Sequence, residues 1–362
     1  MSKSFRERHK RYNCFYTCSG KKIGALKNNI LYIKADYKQS HFILKFHLNH
    51  DLKYIHLSLK LSNDNFINMT TRRSFIKTTS MASAALFIKP GMINHKQKYI
   101  GLQLYTVRDA MAKDPAATLA KVAALGYTSV EGATYTGSQK FYGMDATAFA
   151  ALLKQNGLIM PSSHYRLGED KENGKDVLGT MLHGWDKAVE DAKAVGAKYM
   201  VCAWLSPAER GNIDHYKLLA ERLNTAGEAC KKAGLQLCYH NHDFEFMEDN
   251  GQLPYDVLLN NTNKDNLKFE IDLYWVTKAG HDPVALFNAN PGRFPLWHVK
   301  DMDNTAKKAF TEVGNGTIDF KRIFKESKKA GLDYFFVEQD ITPGDPFDSI
   351  TKSIAYVKAN LI

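Results

Sequence analysis

From Tyr99 to the carboxyl terminus, short apolar segments alternate with longer segments whose apolar residues recur every three or four positions. The first pattern predicts strands, and the second predicts amphipathic helices. The predicted strands cover residues 100–107, 128–133, 159–164, 199–204, 235–242, 267–273, 294–299 and 334–338. The predicted helices cover residues 116–125, 146–156, 181–195, 216–233, 255–259, 284–288, 320–330 and 349–360.

Glycine marks most borders between a predicted helix and the next strand, at Gly126, Gly157, Gly196, Gly234 and Gly331. Glycine is typical just after the last helical residue because it adopts the left-handed backbone without steric cost. Eight strand–helix units in 264 residues predict an α/β fold, the (β/α)8 TIM barrel, which typically needs about 250 residues. No glycine-rich phosphate motif follows the first strand, which disfavours a dinucleotide-binding sheet.

The positive charge of the chain is concentrated before the predicted barrel. Residues 1–98 contain 19 of the 49 basic residues and 4 of the 38 acidic ones, a net charge of +15, so residues 99–362 carry −4. A basic protein would suggest nucleic acid or anionic membrane as a partner, but a slightly acidic barrel lacks the surface that binds a phosphate backbone. We therefore expect no nucleic-acid partner.

The cysteines give no sign of a disulfide framework. Cys202, Cys230 and Cys238 fall in apolar strand or helix patterns, and Cys14 and Cys18 lie before the barrel. We expect the first three to be buried thiols.

Residues 69–98 have the layout of an export signal and linker. Residues 71–77, TRRSFIK, resemble a twin-arginine signal, and the weakly apolar residues 78–88 and the Lys-Pro-Gly of 89–91 follow. Eleven apolar residues are too few to cross a bilayer, so the pattern predicts a removable signal and no stable membrane span. The competing interpretation is a basic, alanine-rich helix start. Export would place the protein in the periplasm, with the Tat translocon as a transient partner.

A signal of this kind works at an amino terminus, which affects how residues 1–68 are interpreted. They are rich in lysine and asparagine, and Met69 stands just before the signal-like segment. We expect residues 1–68 to be a disordered arm or an extension upstream of the true start.

The segment LQLCYHNHDFEF, residues 235–246, carries the most distinctive chemistry. Side chains alternate faces along a strand, so His240 and His242 lie on one face and Asn241 and Asp243 on the other. Two imidazoles at the end of an apolar strand are typical of a binding site. The alternative is a hydrogen-bonded pair of histidines with no ligand.

The carboxyl ends of barrel strands meet at one mouth, where the active sites of such barrels lie. The polar residues at these ends are Glu131, His164, Arg166, His240, His242, Glu245, Glu270, Asp272, His298, Lys300, Asp301, Glu338 and Asp340. Among them, His240, Asp272, His298 and Glu338 end four consecutive strands and form a mixed nitrogen and oxygen set. Such a set suits Mn²⁺, Co²⁺, Fe²⁺ or Zn²⁺ better than Ca²⁺. Each residue alone could instead be a helix cap, an ion-pair partner or a buried histidine.

Five segments in this order, LQLCYHNHDFEF, FEIDLYWVTKAGHDP, WHVKD, VGNGTIDFKRIF and VEQD, resemble the sugar phosphate isomerase/epimerase family of xylose isomerase-like barrels. The resemblance implies a divalent metal, with Mn²⁺ the first expectation, held at the ends of strands 5 to 8. Asp272, His298 and Glu338 match the ligands of strands 6, 7 and 8. His240 stands where the family commonly has glutamate, and the His-x-His is similar to that of inosose dehydratases.

The resemblance also implies proton abstraction next to a carbonyl, since a metal stabilises the resulting enediolate. Reprotonation would make an isomerase or epimerase, and loss of a leaving group would make a lyase. The residues expected to act in catalysis are Glu338, His240, Glu245 and Lys300. The residues expected to contact a carbohydrate substrate are His164, Arg166, His242, Glu131 and Trp204.

Other interpretations stay open at this stage. A non-catalytic sugar-binding barrel would have the same strand pattern, and Lys300 could be a structural ion-pair partner of Asp272 or Glu338. An abasic-site endonuclease shares the barrel but is disfavoured by the charge of −4 and the export signal. The turn Gly314-Asn315-Gly316 favours a capped helix start over a phosphate cradle. The oligomeric state is left open, and an oligomer is compatible with the sequence.

Overall fold

The computed structural model describes residues 99–362 and, by backbone alone, six strands within residues 8–60. The chain divides into two units, residues 1–95 and 96–362. The first contains one antiparallel sheet whose strands pair in chain order: Arg8–His9, Tyr12–Tyr16, Lys22–Leu26, Asn29–Asp36, His41–Leu48 and Leu57–Lys60. The predicted signal at 69–98 lies outside the described residues. The interpretation of residues 1–68 as an arm or extension stays a prediction.

The second unit contains a closed barrel of eight parallel strands, which confirms the predicted fold. The strands are β1 Gly101–Gln103, β2 Ser129–Gly132, β3 Ile159–Tyr165, β4 Tyr199–Cys202, β5 Gln236–His240, β6 Leu267–Asp272, β7 Leu296–Val299 and β8 Tyr334–Val337. Each strand pairs with its neighbours in the chain, and β8 closes the barrel against β1.

Helices follow the strands. Their bounds are Arg108–Lys113, Pro115–Ala124, Ala146–Gln155, Trp185–Val195, Ile213–Ala233, Pro254–Asn261, Leu273–Lys278, Pro283–Ala289, Phe320–Lys325, Ser327–Ala330 and Pro346–Asn360. Two short 3₁₀ helices, Leu104–Val107 and Phe244–Phe246, and two short antiparallel strand pairs complete the unit. No helix of the described residues is long and apolar enough to cross a membrane.

The structure differs from the predicted elements at several ends. The predicted strand 100–107 stops at Gln103 because the Gln103 side chain accepts a hydrogen bond from the Tyr105 amide and begins a 3₁₀ helix. The predicted helix 181–195 begins only at Trp185, since Gly184 before it has a left-handed backbone with φ of 75°. The predicted helix 320–330 is two helices.

Two apolar clusters hold the barrel together. The larger lies between the strands and the surrounding helices. The smaller contains Cys238, Leu296 and Phe336, each two residues before a polar residue at a strand end. Because side chains alternate along a strand, this cluster shares the inner face with those polar residues and fills the barrel beneath them. Cys202, Cys230 and Cys238 are buried free thiols, as predicted.

Asp301, just after β7, holds the loop at 314–318 against the mouth. Its buried carboxylate accepts hydrogen bonds from the amides of Met302, Gly314, Gly316 and Ile318 at 2.8–3.2 Å. These amides are therefore occupied by a side chain of the protein rather than open to a phosphate. Asp319 then caps the next helix by accepting from the Arg322 amide at 2.9 Å. The capped turn predicted here is confirmed.

We expect Asp301→Ala to lower the free energy of unfolding by about 3 kcal/mol, because it leaves several buried amides without an acceptor. Urea denaturation followed by circular dichroism measures this. Glu228→Ala, at an exposed helix position, is the control and should change stability by less than about 0.5 kcal/mol. Equal stability of the two variants would contradict this role of Asp301.

Candidate active site

A cavity of about 490 Å³ opens at the carboxyl ends of the strands. Its lining includes His164 from β3, His240 and His242 from the end of β5, Lys300 after β7, and Glu338 after β8. Five of the predicted residues, from four strand ends, thus meet at one cavity. Trp204, also predicted, lines the cavity after β4, together with Trp275, Asp243 and Asp340.

Three predicted ligands converge where β6, β7 and β8 end; Glu338 lines the cavity, whereas Asp272 and His298 are fully buried and do not line it. Ligand atoms of Asp272, His298 and Glu338 lie within 4.8 Å of one another. His298 Nδ1 is 2.6 Å from Glu338 Oε2 and 4.0 Å from Asp272 Oδ2. His240 Nε2 lies 3.7 Å from Asp272 Oδ2. We call His240, Asp272, His298 and Glu338 the mouth set.

The two carboxylate oxygens of Asp272 have different contacts: one caps a helix, and the other lies among the mouth set. Asp272 Oδ1 caps the helix Leu273–Lys278 by accepting from the amides of Tyr274 and Trp275 at 2.9 and 3.0 Å. The Asp272 amide donates to Asn241 Oδ1, which ties β6 to β5. Asp272 Oδ2 is buried and accepts no hydrogen bond of good geometry. The helix cap therefore fixes the direction in which Oδ2 faces its neighbours.

Lys300 joins the carboxylates around the mouth set. Its buried Nζ lies 3.0 Å from Asp272 Oδ2, 2.8 Å from Glu338 Oε2 and 2.8 Å from Asp340 Oδ1. Burial alone would lower the pKa of Lys300, but the three carboxylates outweigh it and hold the pKa well above the ordinary value. The ion pairs weighed from the sequence are present, and the ammonium also faces the cavity.

A second cluster lies deeper in the barrel, around the fully buried carboxylates of Glu131 and Glu270, which we call the carboxylate floor. Glu270 Oε2 lies 2.9 Å from His164 Nε2, 3.0 Å from His240 Nδ1 and 3.2 Å from His298 Nε2. Glu131 Oε2 lies 2.5 Å from His298 Nε2. His164, His240, Glu270 and His298 thus form a second group able to hold a metal ion.

The three imidazoles differ in their protonation because their charged neighbours differ. Burial lowers the pKa of His164, but Glu131 and Glu270 outweigh it and raise the pKa to about 9. The pKa of His298 is likewise raised well above its usual value, because Glu270, Glu338 and Glu131 outweigh its burial. Burial and the neighbouring imidazoles lower the pKa of His240, so His240 is neutral at pH 7.

His242 is held at the cavity by aromatic rings. Its ring stacks on Phe244 at 5.4 Å, meets the edge of Trp204 at 4.8 Å and lies 5.6 Å from Trp275. Its buried Nδ1 has no hydrogen-bond partner among the described residues. The His242 ring therefore lines the cavity in a fixed position, with Nδ1 buried and unpaired.

Glu245 does not reach the cavity, contrary to the expectation that it carries protons there. Its fully buried carboxylate accepts hydrogen bonds from Tyr239 Oη at 2.7 Å and from the His242 amide at 2.8 Å. It supports the turn that presents His242. The 3₁₀ helix Phe244–Phe246 bends the chain after β5, so residue 245 does not continue the face of the strand.

Two further residues expected at the substrate lie elsewhere. Glu131 is buried in the carboxylate floor, where Gln103 Nε2 donates to it at 2.8 Å. Arg166 lines a neighbouring cavity and pairs with Glu172 at 2.6 Å. Glu131 lies one residue before the end of β2, so its side chain is inside the barrel rather than at the mouth. Arg166 lies one residue past the end of β3, so its side chain no longer follows the strand and lines the neighbouring cavity.

Sequence reasoning did not assign roles to Glu270, Gln103 or Asp340. Glu270 shares strand parity with Asp272, so that alternation was the signal that could have identified it. Gln103 ends β1 and binds Glu131, yet an amide at a strand end carries no distinctive pattern. Asp340 lies past the end of β8, where strand parity no longer predicts direction.

We expect Glu245 to make stability depend on pH. Burial raises its pKa to about 7 although its two hydrogen bonds lower it. Folding therefore favours the protonated acid, so its stabilising contribution is full below about pH 4.5 and is lost as pH rises through about 7. Urea denaturation at pH 5 and pH 8 should show a drop that Glu245→Gln reduces by about 3 kcal/mol. Equal drops in both proteins would contradict this assignment.

Comparison with known proteins agrees with this geometry. Residues 119–359, more than half of the chain, match the sequence profile of the xylose isomerase-like TIM barrel family. An inosose dehydratase of Lacticaseibacillus casei is 26% identical over 200 residues, covering 46% of this chain and 66% of the relative, slightly less than two thirds of its length.

Solved structures show the same relationship. A sugar phosphate isomerase/epimerase from Parabacteroides distasonis is 30% identical, with a TM-score of 0.62, covering 72% of this chain and 94% of that one. The IOLI protein with a bound zinc atom shares the fold at 14% identity and a TM-score of 0.56, covering 73% of this chain and 99% of that one. This chain therefore belongs to the xylose isomerase-like TIM barrel family.

Proposed function

We propose that this protein is a divalent-metal-dependent isomerase or epimerase that acts on a sugar or keto-sugar through an enediolate. The observation that carries the proposal is the mouth set, where two imidazoles and two carboxylates from four adjacent strands meet at the edge of a cavity. Membership of a family whose similar structures include a sugar phosphate isomerase/epimerase supports the class of substrate.

The mouth set fits a divalent metal ion. Asp272 Oδ2 is buried and faces both imidazoles; it accepts no hydrogen bond of good geometry, although Lys300 Nζ lies 3.0 Å away as an ion-pair partner. His240, Asp272, His298 and Glu338 would hold the ion, and their two nitrogens and two oxygens suit Mn²⁺ first, with Co²⁺, Fe²⁺ and Zn²⁺ as alternatives. When bound, the ion supplies positive charge that stabilises an enediolate.

The side chains around the cavity provide the remaining chemistry. Glu338 faces the cavity and accepts the proton from the carbon next to the carbonyl. His240 stands where the family commonly has glutamate, and as a neutral imidazole with one nitrogen against Glu270 it acts as a ligand rather than a proton donor. In the isomerase the proton that Glu338 accepted returns from Glu338 to the enediolate. The Lys300 ammonium and the His164 imidazole lie at the cavity and stabilise negative charge on substrate oxygens. The His242 imidazole lines the cavity and binds a hydroxyl group there.

A keto-sugar lyase or dehydratase is the second candidate. It is favoured by His240, which replaces a proton-carrying glutamate, and by the similarity to inosose dehydratases. It uses the same first proton abstraction and then expels a hydroxyl or alkoxyl group from the neighbouring carbon. An unsaturated product indicates the lyase, whereas solvent deuterium retained at a stereocentre indicates the isomerase.

We also propose export to the periplasm through the Tat translocon, on the basis of Arg72-Arg73 and the short apolar segment after them. Fractionation of cells producing the chain, with Arg72→Lys and Arg73→Lys together as the comparison, tests this. Equal distribution of both proteins between fractions would refute it.

We expect Asp272→Asn to abolish stoichiometric metal binding and leave the protein folded. Asparagine keeps an oxygen for the helix cap at Tyr274 and Trp275 but loses the charge at Oδ2. Elemental analysis after loading with Mn²⁺ should give one ion per wild-type chain and less than about a tenth of that in the variant. Asp319→Asn, at an exposed helix cap that does not line the cavity, should bind as the wild type does. Metal retained by Asp272→Asn would refute the site.

We expect Glu338→Gln to slow proton exchange between substrate and solvent by at least about a hundredfold, since a positioned base contributes about 10²–10⁴ to such steps. The measurement is loss of the proton next to the carbonyl in D₂O, by NMR, over a panel of ketohexoses with Mn²⁺-loaded protein. Asp319→Asn should exchange at the wild-type rate. Exchange in Glu338→Gln as fast as in the wild type would exclude Glu338 as the base.

A further inference from the structure

A second cavity of about 790 Å³ lies beside the first. The two share three lining residues, Tyr105, Ala133 and Trp204. The second cavity is otherwise lined by residues that follow β1, β2, β3 and β4, including Arg108, Thr134 and Tyr142. Because they share these residues, the two cavities adjoin along the barrel mouth.

The shared border carries two exposed aromatic side chains. Tyr105 is 43% exposed and Trp204 is 49% exposed, although most large apolar side chains of the barrel are buried. Their positions are supported: the Arg108 guanidinium lies 4.3 Å from the Tyr105 ring, and the Arg210 guanidinium lies 5.2 Å from the Trp204 ring. Fixed, exposed aromatic faces are typical of sites where apolar C–H groups of a ligand settle on a ring.

The charges of the second cavity are already balanced. Arg108 donates to the backbone oxygens of Tyr105 and Asp340 at 2.9 and 3.0 Å, and Arg166 pairs with Glu172. The lining also holds two carboxylates, Asp170 and Glu209. Two guanidinium groups that already have partners, and an equal number of carboxylates in the same lining, favour an uncharged polar ligand over a phosphate.

The size of the two cavities points the same way. Cavities of about 300–1,000 Å³ enclose drug-sized ligands, so the first cavity alone has room for a single sugar ring. The second cavity, larger and bordered by three of the same residues, has room for another polar ring. Aromatic faces at the border and walls whose formal charges cancel are the features that a sugar ring, with hydroxyl edges and C–H faces, would use.

We propose that the second cavity is a subsite for a second sugar ring, so that the substrate is a glycoside whose reacting ring lies at the mouth set. The identity of the reacting ring rests on the proposed function. The second ring would cross the shared border, which is lined by Tyr105, Ala133 and Trp204.

The test compares ligands that differ by one sugar ring. Isothermal titration of Mn²⁺-loaded full-length protein uses fructose against lactulose, isomaltulose and turanose, and glucose against cellobiose and maltose. We expect at least one disaccharide to bind at least tenfold tighter than its monosaccharide. Equal affinity within every pair, or no disaccharide binding, overturns the proposal.

Variants that fill the second cavity test whether the tighter binding of disaccharides depends on that cavity. Ala112→Trp and Thr134→Trp place a large side chain at exposed positions that line this cavity and do not line the first. Each should remove the tenfold gain and change monosaccharide affinity by less than twofold. Ala116→Trp, an exposed position outside both cavities, is the control and should keep the gain. Disaccharide binding at wild-type affinity in both filled variants overturns the proposal.

Deuterium exchange in the same samples separates this proposal from the proposed function. A disaccharide preference that the filled variants lose, without exchange in any ligand, supports the subsite and refutes the isomerase. Exchange in monosaccharides without any disaccharide preference supports the isomerase and refutes the subsite. Preference for fructose 6-phosphate over every neutral disaccharide would assign the second cavity to a phosphate and overturn the proposal.

Discussion

The structure of the site depends on mutual compensation among charges buried where no bulk water reaches them. Three carboxylates, Glu131, Glu270 and Asp272, and the imidazole of His298 are fully buried at the inner face of one barrel. An isolated charge in such a place costs many kcal/mol, so a buried charge persists only when it is paired and hydrogen-bonded. Here each carboxylate lies within about 3 Å of an imidazole or an ammonium. The cluster is therefore stable as a unit.

This compensation also sets the direction of the imidazoles. His240 and His298 each have one ring nitrogen against the carboxylate floor and the other within 4 Å of Asp272 in the mouth set. A carboxylate behind a ring accepts its N–H, holds the tautomer and makes the opposite nitrogen a better ligand. The floor thereby prepares the mouth set before any ligand binds.

The same strand ends serve folding and function. Asp272 caps a helix with one oxygen and faces the imidazoles with the other. Asp301 collects four amides and holds a loop at the mouth. Glu245 supports the turn that presents His242. Side chains that fix the backbone beside the cavity leave little freedom to those that face it, which is the condition for a pre-organised site.

The sequence by itself determined the fold and the strands that meet at the site. Alternation of strands and helices is local information, and the ends of β5 to β8 place His240, Asp272, His298 and Glu338 together once the barrel closes. Only the tertiary structure decided where the side chains that follow those strand ends, or lie deeper in the barrel, are directed. Glu245 turns away because a 3₁₀ helix follows β5, Arg166 faces the neighbouring cavity, and Glu131 and Glu270 form the floor. Their directions depend on loop paths and on neighbouring strands, which no pattern within one segment records.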